Sequence, residues 1–350
     1  MNLFKQKFTL ATIVAASIMG LIACQQTPQA TTKLTNGQST EMPGKGVKVR
    51  PGYDGEERFL TEIVDIGLEK LGYEVDKIKT VSPPVLLHVA IGNGDLDFTT
   101  SHWEKLYDKF FERGGGSQKL EKVGVITPNL LQGYKIDKKT ADYYKITNLA
   151  QLKDPKLAQM FDTNRNGKAD IVYCPVGSGC DEVIENHLKV YGLQDTVEYA
   201  RGDIDTQIAD TIARYKQGEP VLYYIWTPSW LDEDMKDVVW LEVPFTSYPK
   251  SMGKYTEKDT SFKGKNLGFA VDRLRIVANK EFLKANPAAR RLFELVQIPI
   301  EDISAELTLV HKGEDTPEDM RRHAKEWIQK HQQLFDRWVE EARIAGKASK

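Results

Sequence analysis

Two stretches of the chain bring a tryptophan to the point where a strand should end. The first is Asp97-Phe98-Thr99-Thr100-Ser101-His102-Trp103, and the second is Tyr223-Tyr224-Ile225-Trp226-Thr227-Pro228-Ser229-Trp230, in which Pro228 breaks the extended run just past Trp226. Indole faces are electronegative, and two of them facing one another hold a cation. Each such contact is worth about 0.5–1 kcal/mol when exposed and about 2 kcal/mol when desolvated. A lone tryptophan is more often plain core, so it is the repetition of the pattern that points to a site.

A third stretch could take the opposite charge. Cys174-Pro175-Val176-Gly177-Ser178-Gly179-Cys180 is a Gly-rich turn that runs into a helix, whose first turn is marked by Asp181, Glu182 and Glu185. The free amides at a helix start bind anions. Ser178, Gly179 and Cys180 could therefore seat a carboxylate while a cationic head sits between the tryptophans. A disulfide closing so short a loop contributes roughly 2–2.5 kcal/mol, so its use would be to stiffen the turn; a purely structural clip is the alternative. A fourth stretch, Asp162-Thr163-Asn164-Arg165-Asn166-Gly167-Lys168-Ala169-Asp170, has the alternating oxygen side chains and sixth-position Gly of a calcium loop. Its twelfth position is Tyr173 rather than Glu, and Asn and Asp also make ordinary turns. No metal and no cofactor is assigned.

Catalysis has little to stand on. The six His, at 88, 102, 187, 311, 323 and 331, show no metalloprotease spacing, and Ser178 lacks flanking elbow glycines because Val176 and Cys180 stand there. The chain is expected not to be an enzyme.

The elements that would position these residues follow a βα grammar. Phe59, Ile63, Ile66 and Leu71 recur near the helical period, and Gly72 ends the run. Residues 47–49, 73–75, 95–98, 171–173, 221–226, 268–271 and 275–278 read as strands. Residues 85–91, 103–113, 181–191 and 205–217 read as helices, and Thr316-Pro317-Glu318 opens a long terminal helix. This order predicts an α/β fold with a largely parallel sheet. In such folds ligands bind at the carboxyl ends of strands, where Trp103 and Trp226 stand.

The start of the chain reads as an export signal. Lys5 and Lys7 precede an uncharged apolar stretch over 8–23, too short for a comfortable membrane span. It ends in Leu21-Ile22-Ala23-Cys24, the pattern at which a bacterial lipoprotein is cut and Cys24 acylated; an ordinary secretory signal with a stray Cys is the alternative. Residues 24–42 would then be a lipidated Cys with a polar tether. Export places Cys174 and Cys180 in an oxidising compartment where a disulfide persists, two reduced buried thiols being the alternative. Lys+Arg total 48 against Asp+Glu 50, for a net charge of −2, so no basic excess suggests nucleic acid. The remaining roughly 300 residues suffice for two lobes.

Taken together, these features resemble the glycine betaine/proline betaine-binding proteins of enteric-type ABC uptake systems. The likeness runs from Pro43-Gly44-Lys45-Gly46 to the last helix. It includes Leu68-Glu69-Lys70-Leu71-Gly72-Tyr73, Ile136-Asp137-Lys138-Lys139-Thr140-Ala141-Asp142, Ala209-Asp210-Thr211-Ile212-Ala213-Arg214-Tyr215-Lys216 and Ile276-Val277-Ala278-Asn279-Lys280. The resemblance implies a two-lobed type II periplasmic-binding-protein fold, with residues 43–137 plus 278–350 in one lobe, 138–277 in the other, and crossovers near 137–147 and 268–277. It implies a monomer that traps a trimethylammonium group in a tryptophan cage and hands it to permease and ATPase subunits at the membrane. Cage tryptophans match Trp103 and Trp226, the disulfide matches Cys174 and Cys180, and the carboxylate-binding amides match Gly179 and Cys180. Two positions depart: the third cage Trp falls on Ser178, and the carboxylate-contacting His on Tyr107. Tyr107 can still donate through its hydroxyl. Tyr173, Tyr53 and His102 are candidates for the missing wall.

Overall fold

The apolar period at Phe59, Ile63 and Ile66 becomes helix α1 (Arg58–Lys70), buried along most of its length and ended at Gly72, whose φ of 91° suits glycine. The computed structural model describes residues 42–55 and 58–348; the expected signal, Cys24 and the tether up to residue 41 lie outside them. The strands that position the site are, in chain order, β1 (Pro51–Tyr53), β2 (Lys79–Thr80), β3 (Phe98–Trp103), β4 (Leu120–Asp137), β5 (Ala169–Ile171), β6 (Val197–Tyr199), β7 (Leu222–Thr227), β8 (Val238–Leu241) and β9 (Asp272–Asn279). The further helices used below are α2 (Pro84–Asn93), α3 (Asp108–Arg113), α4 (Gly179–Val190), α5 (Ile204–Lys216), α6 (Pro287–Leu295), α7 (Ile300–His311), α8 (Pro317–Lys330) and α9 (Gln332–Ala348).

One sheet runs β8-β4-β9-β3-β1-β2, with β7 also paired to β4. The expectation of a largely parallel sheet is corrected here. Within this sheet only the pairs of β1 with β2 and with β3 are parallel, whereas β3–β9, β9–β4, β4–β7 and β4–β8 pair antiparallel; the separate short pairs β5–β6 and Lys48–Val49 with Glu74–Val75 are also parallel. The long strand β4 is responsible. Its first part pairs with β9, from Leu120↔Asn279 to Leu130↔Asp272, and its second part pairs with β7, from Leu131↔Thr227 to Ile136↔Leu222, and with β8. A single strand thus ties two groups of elements together, and the change of partner falls at Leu130 and Leu131.

Local expectations shift in instructive ways. The strand expected at 95–98 begins at Phe98 and continues to Trp103, buried at every position. Two of its polar residues find partners on other elements inside the core: Thr100 Oγ1 lies 2.7 Å from Thr61 Oγ1 on α1, and His102 Nδ1 lies 2.9 Å from His88 Nε2 on α2. The helix expected from 103 starts only at Asp108. Residues 268–271 are a bend and irregular chain rather than a strand, and the terminal helix is two helices, α8 and α9, parted at His331. Trp327 and Trp338 stack across that break with ring centroids 6.0 Å apart. Among the described residues no helix is long and apolar enough to cross a membrane.

Candidate functional site

Trp103 is the last residue of β3, held opposite Leu274 of β9. The chain then turns: the Tyr107 amide donates to the Trp103 carbonyl at 2.8 Å, and Tyr107 stands at the start of α3. Asp272, at the start of β9, fixes this turn. Its carboxylate accepts the amides of Lys105 at 2.9 Å, Leu106 at 3.0 Å and Arg273 at 2.7 Å. Burial pushes the Asp272 pKa up to about 6, against the downward pull of those donors. Sequence reasoning did not find Asp272, because nothing near it in sequence signals a partner 166 residues away.

The sign of the pH effect follows. The folded chain holds the Asp272 proton below about pH 6, whereas an unfolded chain holds it only below about 4. Stability from this group is therefore present at low pH and lost as the pH rises through about 6. Asp272→Asn is expected to remove that dependence. Chemical denaturation of both proteins at pH 4.5 and 7.5 should show the stability difference between them changing by on the order of 1–2 kcal/mol. An unchanged difference contradicts the buried, raised carboxyl.

Trp226 lies near the end of β7, half-buried, opposite Gln132 of β4. Tyr173 backs it, with ring centroids 4.7 Å apart, and Tyr224 shares its face of the strand at 6.1 Å. The Tyr224 hydroxyl donates to Gln132 Oε1 at 2.7 Å. The third component is the start of α4. Cys174 and Cys180 are joined in a disulfide. The Ser178 hydroxyl donates to the Pro175 carbonyl at 2.7 Å, and no side chain caps α4, whose first amides have no partner within the helix.

These pieces meet. A cavity of about 370 Å³ is lined by Trp103, Tyr107, Ser178, Cys180 and Trp226, together with Leu106, Gln132, Tyr224 and Asp54. Behind the tryptophans a small void of about 30 Å³, also bounded by Leu274 of β9 and by Ile303 and Leu307 of α7, again has both indoles in its wall. Of the expected site residues only Gly179 is not part of the lining. It sits between two that are, and a Cβ there would lie 2.5 Å from the Leu106 side chain and 2.9 Å from the Leu106 carbonyl oxygen, so only glycine allows this approach.

None of the three candidates for the missing wall faces the cavity. Tyr173 lies behind Trp226, His102 is fully buried against His88, and Tyr53 packs under Arg58. Tyr224 is the aromatic that sequence reasoning missed. Its two-residue spacing from Trp226 on one strand was the available signal, since alternate strand residues share a face. Asp54 was also missed; it belongs to the turn after β1 and has no motif around it.

The calcium-like loop is an internally bonded turn. Asp162 accepts the amides of Asn166 and Gly167, Asp170 accepts from Thr163 and Asn164, and the Asn164 and Asn166 side chains donate to Glu198 of β6. Among the described residues no group of three or more His, Cys, Asp or Glu is placed to hold a metal.

Comparison with known proteins adds the following. Residues 49–330 match the family described as the substrate-binding domain of ABC-type glycine betaine transport systems. The glycine betaine-binding periplasmic protein OusX of Dickeya dadantii is 46% identical over 325 residues, covering 91% of this chain and 97% of that one. The glycine betaine/proline betaine-binding periplasmic protein of Salmonella typhimurium is 45% identical over 324 residues, covering 91% and 97%. Among solved structures, lactococcal OpuAC, closed on glycine betaine, superposes with a TM-score of 0.62 at 18% identity, over 84% of this chain and 99% of that one; it shows the shared two-lobed fold.

Proposed function

The chain belongs to the family of substrate-binding domains of ABC-type glycine betaine transport systems, and from that premise we propose that it captures glycine betaine or proline betaine outside the cytoplasmic membrane and delivers it to permease and ATPase subunits. Its relatives are solute-binding proteins, and it binds its ligand without turning it over. The observation that carries the ligand class is that Trp103 and Trp226, more than a hundred residues apart in sequence, line one cavity with the uncapped start of α4.

In this reading the trimethylammonium head lies between the two indoles, each contributing about 2 kcal/mol once water is excluded. The ligand carboxylate accepts the Gly179 and Cys180 amides, favoured by the positive end of α4. The Tyr107 hydroxyl is a further donor, and unlike a histidine it gains no charge near pH 6. Tyr224 supplies a further aromatic surface where Ser178 offers none. The lobes, 43–137 with 278–350 and 138–277, close over the ligand by bending at their two crossings. A monomer tethered through lipid on Cys24 fits delivery to a membrane permease.

Calorimetric titration of the purified chain with glycine betaine tests this. Saturable binding with a Kd in the range of about 1–100 μM supports it. No saturation by glycine betaine or proline betaine in a folded sample removes it.

A further inference from the structure

Two lysines flank Tyr107 on the segment that follows Trp103. Lys105 stands in the turn before α3 and Lys109 in the first turn of that helix. Both reach toward elements far away in sequence. The Lys109 ammonium pairs with the Glu182 carboxylate in the first turn of α4. Ser251 Oγ donates to the other oxygen of that carboxylate at 3.1 Å. Lys105 Nζ lies 3.7 Å from Asp259 Oδ1. With the lobes placed as proposed above, both lysines belong to one lobe, and Glu182, Ser251 and Asp259 to the other. Neither Lys109 nor Glu182 lines the cavity.

The two pairs are unequal. The Lys105–Asp259 contact is long and open to water, and exposed pairs of that kind contribute little. The Lys109 side chain is only 10% exposed, and its ammonium lies 4.9 Å from the centre of the Phe110 ring. A second donor, Ser251, restricts its partner. An ion pair within one lobe survives opening, so it adds to folding and not to affinity. A pair that spans the lobes is made only when they meet. Its free energy then enters the open–closed equilibrium, and through that the affinity for the ligand. The place of this pair matters as well. Glu182 follows Gly179 and Cys180 in α4, and Lys109 follows Tyr107 in α3, so the contact draws the amides proposed for the carboxylate toward the segment that carries Tyr107.

We propose that Lys109 and Glu182 form a clasp between the lobes, a pair of positioning residues that holds the start of α4 against α3 and sets the affinity for the ligand without touching it. The inference rests on the betaine-capture reading and on the closing of the two lobes over the ligand.

The test measures glycine betaine affinity by calorimetry for the full-length chain, Lys109→Met, Glu182→Gln and the double variant. Methionine keeps most of the apolar stem of the lysine and removes its charge. The two single substitutions change the charge near the site in opposite senses. A plain field effect on the ligand carboxylate therefore weakens binding in Lys109→Met and tightens it in Glu182→Gln. The clasp weakens both, by about three- to tenfold, and the double variant loses no more than the worse of the two singles. Salt gives an independent readout, because glycine betaine carries no net charge and its approach is little screened. Affinity of the unaltered chain is expected to fall about threefold between roughly 0.05 and 1 M sodium chloride, and that of the double variant to stay constant. Opposite shifts in the two singles, losses that add in the double variant, or the same salt dependence with and without the pair overturn the clasp and leave betaine capture standing. A folded chain that binds neither glycine betaine nor proline betaine overturns both.

Discussion

Replacing Trp226 by alanine lowers glycine betaine affinity by about 30- to 100-fold, whereas Trp230→Ala lowers it by less than about threefold. The two residues belong to the same short run, yet the fold separates them. Trp226 remains half-buried and lines the large cavity. Trp230 is buried and stacks on His311 of α7 at 3.4 Å with rings 9° apart, away from that cavity. Removing Trp226 deletes one cation–π face worth about 2 kcal/mol in a desolvated site, together with apolar contact to the methyl groups. Removing Trp230 deletes core packing, for which about 3–5 kcal/mol of folding stability is the usual cost. The pair therefore dissociates affinity from stability. Calorimetric titration gives the first and thermal unfolding the second, and equal small losses of affinity in both variants contradict the cage.

Gly179→Ala is the second large effect, and it arises from space rather than charge. The added Cβ meets Leu106 at 2.5 Å and its carbonyl oxygen at 2.9 Å. The Leu106 side chain could swing aside, but the backbone oxygen cannot move without disturbing the turn that Asp272 fixes. The start of α4 must then stand off from the segment between Trp103 and Tyr107, which widens the site on the side proposed for the carboxylate. The displacement costs folding stability as well, about 1–3 kcal/mol for overpacking of this kind, partly offset by the helix propensity of alanine. The expected result is a loss of affinity of about 30-fold or more, with a ligand-bound form that stays expanded in small-angle scattering. Normal affinity in Gly179→Ala contradicts the assignment of these amides to the carboxylate.

What could be read from the sequence, and what could not, divides along physical lines. The 3.6 period at Phe59, Ile63 and Ile66 and the Thr316-Pro317 start of α8 were legible because the signal is local. Trp103 and Trp226 were legible as a pair because each stands at or next to the end of a strand. The extent of β3 was not, since Thr99, Thr100, Ser101 and His102 look like loop residues, and they are buried only because Thr61 and His88 arrive from other elements to bond Thr100 and His102. Strand β4 was hidden for a similar reason. Gly124, Pro128, Asn129 and Gly133 interrupt it, Asn129 has a φ of 60°, and β9, which pairs along its first part, lies some 150 residues away. The parallel-sheet expectation failed with it. Within the site, Asp272 acts through partners that only the fold supplies, and the candidates for a missing wall, Tyr173, Tyr53 and His102, did not include Tyr224, which shares a strand face with Trp226.

The placement of the ligand head rests on two indoles sharing one cavity, and tryptophan fluorescence reads that placement directly. The purified chain is titrated with glycine betaine while its intrinsic emission is followed. A saturable change in intensity or wavelength, with a midpoint matching the calorimetric Kd and absent in Trp226→Ala, is the expected result. Emission unchanged at saturating ligand, or a change that persists in Trp226→Ala, would place the onium head away from Trp103 and Trp226.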